Sequence, residues 1–315
     1  PPRTTIRYTL GWGTVMARGK DKNYMMGLGA NFTFTEEKGP NNEPIRKILD
    51  GGENPPAGVI IYYTLPTTIH AVEPSQSPNL SISLELLDSS GKTIKTIKPK
   101  PSGEPDKKNN PDPTERFLPV APGLNRFVWD MRYPEIVRLP GEPFTEKANT
   151  GAIAAPGNYT VKLTVGEQSW TEAFEIVADP RITASQEDLQ AQFELWQAIV
   201  DKISAIHSTV SKIRRIREQV NEWQKRAADN NAISESAKAL NDKLSTIEKA
   251  LVQVDAKTAS DRLRLPSKLN TKLLGLIPVV SCADFRPPQQ AYNVFDHLSA
   301  QVDQQLGLLD GVLGD

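Results

Sequence analysis

A chain of 315 residues and 34.8 kDa exceeds the usual size of a single core, so two or three domains are expected. Lys plus Arg is 37 against Asp plus Glu at 38, a formal charge of −1, which removes the basic field that nucleic-acid or anionic-membrane binding requires. Hydrophobic residues make up 38%, yet they never form the ~18-residue apolar run of a membrane-spanning helix, and one Cys with three His leaves little for a metal, thiol or cofactor site.

The chain opens Pro1-Pro2-Arg3-Thr4, without Met or a basic-then-apolar leader, and is read as a processed or fragmentary start. Punctuation then divides it. Of 25 Pro and 20 Gly, 21 and 16 fall in residues 1–182. Pro blocks helix interiors and Gly supplies turns, so strands and loops are expected first and helices afterwards. We therefore read residues 1–53 as a strand-rich N-terminal segment, a neck or the remnant of an upstream domain. Residues 54–182 are read as an immunoglobulin-like antiparallel β-sandwich, and residues 183–315 as an antiparallel three- or four-helix bundle.

In the first segment Ile6, Tyr8 and Leu10 alternate, as do Phe32 and Phe34, which predicts a strand near each. Between them Trp12 sits in a Gly-flanked turn and is the one exposed aromatic expected to contact a glycan or a partner. Gly58–Leu65 and Leu80–Leu87 are β-branched and aromatic runs that predict core strands. Asp88–Gly91 then turns the chain into Lys92–Lys98, whose lysines suit a sheet edge. Six prolines among polar residues over 99–119 predict a mobile surface loop. Beyond it, Leu124, Phe127 and Trp129 enter a strand, Tyr159–Val165 alternates with one wet face, and Trp170, Phe174 and Ile176 predict a last paired strand.

After Thr183 and Ser185, possible helix caps, apolar residues recur three or four apart from Leu189 to Trp223, uninterrupted by Pro or Gly over 185–228. That predicts a rod of about 66 Å at 1.5 Å per residue. Asp229-Asn230-Asn231 breaks it, and Ile233, Ala237, Leu240, Leu244, Ile247, Leu251 and Val254 supply an antiparallel neighbour. Pro266 is expected to open a shorter helix that stops near Pro278, and Pro287-Pro288 to precede a last one through Leu309. An intermolecular coiled coil is the alternative use of the long stripe, so self-association or a protein partner is expected through the helical half.

Chemistry is sparse. His70, His207 and His297 make no zinc spacing, and His207 is read as a residue flanking the helix seam. There is no Gly-x-Ser-x-Gly elbow, phosphate loop or dinucleotide fingerprint. Glu36-Glu37 and the Asp130/Glu135 pair are read as surface acids, and Lys212, Arg214, Arg215 and Arg217 as a solvated face paired with Glu218 and Glu222. Apolar neighbours predict a buried thiol at Cys282. Trp129, Trp170, Trp196 and Trp223 are assigned to core phases.

The run Asn125-Arg126-Phe127-Val128-Trp129-Asp130 followed by Pro156-Gly157-Asn158-Tyr159-Thr160-Val161 resembles the immunoglobulin-like module of flagellar hook-cap proteins. Residues 54–310 are also similar to the C-terminal region of bacterial sortilin-like or BNR-repeat proteins that carry a glycosyl hydrolase label. The resemblance rests on Asn54-Pro55-Pro56-Ala57-Gly58, on Asn125 to Pro134 and on Asp179-Pro180-Arg181. It implies a β-propeller upstream, export to the periplasm or cell surface of a bacterium, and any catalysis lying in that propeller. The chain holds no Ser-x-Asp-x-Gly-x-x-Trp box. The expectation is therefore a non-catalytic structural or protein-interaction module, with a carbohydrate-binding or glycoside hydrolase-associated protein as the alternative.

Overall fold

A computed structural model describes residues 4–7, 14–18, 23–27, 30–38, 44–49, 58–66, 81–100, 117–145, 151–226 and 230–314. Antiparallel sheets occupy the N-terminal part and helices the C-terminal part. Trp12, His70 and most of the proline-rich loop, residues 101–116, lie outside the described residues.

The first strand, β1 (Thr4–Arg7), pairs in parallel with a strand some 170 residues later, Thr4 opposite Glu175. The next four, β2 (Thr14–Arg18), β3 (Asn23–Gly27), β4 (Ala30–Lys38) and β5 (Pro44–Ile48), form their own antiparallel sheet in sequence order. The N-terminal segment is thus divided, with β1 belonging to the main sheet.

That main sheet runs in the order β1, β11 (Gln168–Ala178), β10 (Gly157–Val165), β7 (Ile82–Leu87) and β8 (Thr93–Ile97). Against it lies a two-stranded sheet of β6 (Val59–Leu65) and β9 (Gly123–Trp129). Strand alternation explains the packing: Val59, Ile61, Tyr63 and Leu65 are buried while Tyr62 and Thr64 face out. The inward residues of both sheets share one core, in which Trp129 makes edge contacts with Tyr159 and Phe174 at 5.9 and 6.1 Å between ring centroids. The β7–β8 hairpin turns on Asp88, whose Oδ1 accepts from the backbone N–H of Ser90 and Lys92.

Gly58 shows why its motif needs glycine. It has φ +146°, and a Cβ there would lie 2.2 Å from the Trp129 carbonyl oxygen.

The helical part begins with α1 (Gln186–Arg226), 41 residues and about 62 Å long. The Ser185 Oγ accepts from the Asp188 N–H, and Glu187 and Asp188 favour the positive end. Then come α2 (Asn231–Leu251), α3 (Leu269–Leu274), α4 (Ile277–Ser281) and α5 (Gln289–Gly314). Asn230 caps α2 by accepting from the Ile233 N–H. The expected single helix ending near Pro278 is instead two short ones. Pro278 sits in the first turn of α4, where its missing N–H costs nothing. The last helix spans 26 residues and runs past the expected Leu309 to Gly314.

Candidate functional site

The residues joining sheets to helices form the most highly constructed region among the described residues. After β9 the chain makes a sharp turn at Met131, whose φ of 59° is the left-handed conformation rarely used by non-glycine residues. The turn is held on both sides: Met131 O accepts from Ala154 N at 2.7 Å, and Trp129 Nε1 donates to Arg132 O at 3.1 Å. Arg132 is thereby aimed across the boundary, donating to Gly151 O at 2.9 Å with its guanidinium 5.7 Å from the Trp196 ring of α1. Tyr133 follows and packs on Phe193 of α1 at 4.6 Å between ring centroids. The Trp-Asp-Met-Arg-Tyr run is therefore a joint: Trp129 belongs to the sheet core, Tyr133 packs against that core and on Phe193, and Arg132 faces α1.

Residues 134–145 then run along α1 as a strap. Ile136 and Leu139 are buried in the same core as Ile199, Ile203 and Ile206. Val137 N donates to Ser204 Oγ at 3.1 Å, and Val137 O lies 2.6 Å from His207 Nδ1, so this imidazole carries its proton on Nδ1. Arg214 Nη1 donates to Pro140 O at 2.8 Å, and Arg262 reaches Phe144 O. Gly151 lies beneath the strap, where a Cβ would come 2.0 Å from the Tyr133 carbonyl oxygen.

His207 is fully buried, which corrects its reading as a flank residue; helix periodicity alone does not show that an irregular segment covers that side. Burial holds the imidazole below its ordinary pKa. The hydrogen bond to Val137 and the charge of Glu142 oppose that shift, and Arg214 reinforces it. Its Nε2 and the buried Oε1 of Glu142 have no hydrogen-bond partner among the described residues. The unfolded chain therefore binds a proton that the folded chain resists, and this contribution to stability is present above about pH 6.5 and lost as pH falls below it. Thermal unfolding followed from about pH 7.5 to 5.5 should show a fall in Tm that is shallower in His207→Gln. An identical slope in the two proteins would refute the assignment.

Arg214 and Arg217 do not form the solvated face expected from sequence. Both reach Glu248 of α2, at 2.8 Å each, and that carboxylate is buried. The pairing runs between helices, beyond the range of i to i+4 reasoning. Cys282, expected to be buried, is exposed at the end of α4, whose buried residues are Ile277 and Val280. Trp129 and Trp196 are buried as expected, but Trp170 and Trp223 are 52% and 65% exposed. Trp170 has the parity of buried Phe174 and Ile176 but sits at the far end of β11, opposite a Leu163 that is itself only partly covered. Glu36 and Glu37 are exposed on β4, while Asp130 and Glu135 turn to Arg132 and Arg138 respectively. His297 is exposed and lies 2.7 Å from Gln301 Nε2. Among the described residues no three His, Cys, Asp or Glu side chains gather to hold a metal ion, and no helix is long and apolar enough to cross a membrane.

A second feature lies at the far end of α1. Val220 and Trp223 of α1 with Ile233, Ala237 and Leu240 of α2 line an open groove of about 410 Å³.

No family model, curated protein or solved structure matches the chain.

Proposed function

We propose that the chain is a non-catalytic structural and protein-interaction module, the C-terminal part of a larger exported bacterial protein with a β-propeller. The observation that carries this reading is the joint itself. The most specific stretch of sequence, Trp129 to Tyr133, is consumed in fixing sheets to helices: Trp129 Nε1 and Arg132 Nη1 donate to backbone carbonyls, and the Arg132 guanidinium and the Tyr133 ring lie against aromatic rings of α1.

The finer fold assignment belongs to the same proposal. Reading β6, β7, β8, β9, β10 and β11 as strands B, C, C′, E, F and G gives one sheet G-F-C-C′ and a facing B-E pair, the immunoglobulin arrangement. The Tyr159 hydroxyl donates to Ala155 O at 2.7 Å near the start of β10, as in a tyrosine corner. The helices that follow form an antiparallel bundle around α1. The separate four-stranded sheet β2–β5, ordered as a simple meander, has the form of one propeller blade and supports the propeller reading.

Two measurements test the proposal. Sequencing the reading frame around Pro1 should reveal propeller repeats, and their absence would overturn the propeller assignment. A hydrolysis screen over glycosides and peptides should give nothing; turnover abolished by a single carboxylate substitution would overturn the non-catalytic reading. Carbohydrate binding is the second reading, favoured by the exposed ring of Trp170. Glycan-array retention lost in Trp170→Ala would establish it in place of the first.

A further inference from the structure

The groove at the α1–α2 tip continues a path that another helix already occupies. Tyr292 of α5 donates to Ala191 O of α1, and Asp303 of α5 pairs with Lys202 of α1 at 2.7 Å. The two helices therefore run in the same direction, which brings the last turn of α5 level with about Ile213. Buried positions on α1 stop at that same residue. The stripe does not stop. Lys202 and Val220 are five turns apart on one face, with Trp223 a turn further, so the line that α5 covers runs on into the open groove. There Trp223 is 65% and Ile233 42% exposed.

The charge of the rim specifies what fits. At 100° per residue, Lys212 and Arg226 edge the groove on its α1 side and Lys243 on its α2 side, and all three are exposed. Arg226 lies over the Trp223 ring at 5.8 Å. Among the described acids of the tip, Glu218 and Glu235 are turned roughly 160° or more away, and Glu222 stands outside Arg226, 4.0 Å from its guanidinium, on the side away from the groove. The helix already seated on this stripe has the matching chemistry. The charges of α5, apart from its His297, are Asp296, Asp303 and Asp310, at seven-residue intervals, with no Lys or Arg.

We infer that the tip groove receives an amphipathic helix from a partner protein, apolar on one face and flanked by Asp or Glu, laid along α1 as a continuation of α5. A second copy of the tip is disfavoured because it would set the basic rims against each other. The inference rests on the interaction-module reading and names the partner's chemistry.

The probe is a designed helical peptide with Leu at i, i+3, i+4 and i+7 and Glu on both flanks, fluorescently labelled, beside a twin with Lys flanks. Anisotropy titrations against the full chain should show the Glu peptide binding at least about tenfold more tightly than its twin. Trp223→Ala, at an exposed position, should weaken it about tenfold or more without altering thermal unfolding. Arg226→Glu with Lys243→Glu should reverse the preference toward the Lys peptide. Equal binding of the two peptides, no binding of either, or binding indifferent to Trp223→Ala overturns the inference. A dimer seen by light scattering and lost in Trp223→Ala overturns it in favour of a second copy. None of these results touches the hydrolysis screen or the reading-frame test, so the module reading survives or fails on its own.

Discussion

Ile203→Asp should remove the cooperative unfolding of the helical part. Ile203 is fully buried at the middle of α1, among Ile199, Ile206 and the strap residues Ile136 and Leu139. A carboxylate there has no cationic partner and must either ionise without water or take up a proton. Loss of the isoleucine's burial adds to that penalty, giving a cost of about 4–5 kcal/mol or more. Against a typical total of about 5–15 kcal/mol this leaves a marginal or unfolded helical region. Far-UV circular dichroism in urea is the measurement. The matched variant Ile203→Val should cost only about 0.5–1.5 kcal/mol and keep a sharp transition. If Ile203→Asp unfolds with the native midpoint, the buried core around α1 is wrong.

Trp129→Ala is expected to cost about 3–5 kcal/mol, the range for truncating a buried aromatic side chain. The loss has three parts: the apolar area, the edge contacts with Tyr159 and Phe174, and the Nε1 hydrogen bond to Arg132 O. The third part connects the two halves of the protein, because Arg132 O is fixed by Trp129 while the Arg132 guanidinium faces Trp196 on α1. Differential scanning calorimetry should therefore show the helical transition moving down together with that of the sheets. A shift confined to the sheets would mean that the joint transmits no stability.

Much of this architecture is legible in the sequence because local periodicity encodes it. The two-residue alternation of β6 and β10, the hairpin between β7 and β8, and the three-four spacing of α1 and α2 each follow from one face meeting a core. Pairing between distant segments is not encoded that way. The parallel register of β1 on β11 joins residues about 170 positions apart and leaves no pattern in either strand. The strap is missed for a related reason: its Ile136, Leu139 and Phe144 bury without any period, because an irregular chain touches a helix wherever its turns allow. Trp223 illustrates the converse. It continues the three-four spacing from Val220, but at 100° per residue it lies about 80° or more around α1 from the buried Ile206, Val210 and Ile213, and it is exposed. Trp12, the one site residue expected from sequence, lies outside the described residues.

The position of the strap has a mechanical consequence. It grips α1 around Ser204 and His207, whereas the open groove lies near Trp223, about 24–28 Å further along an unbroken helix. A load applied at the tip therefore meets the Arg217 and Arg214 contacts with Glu248 and Pro140 before it reaches the imidazole, so the strap and α2 brace the rod ahead of the sheets.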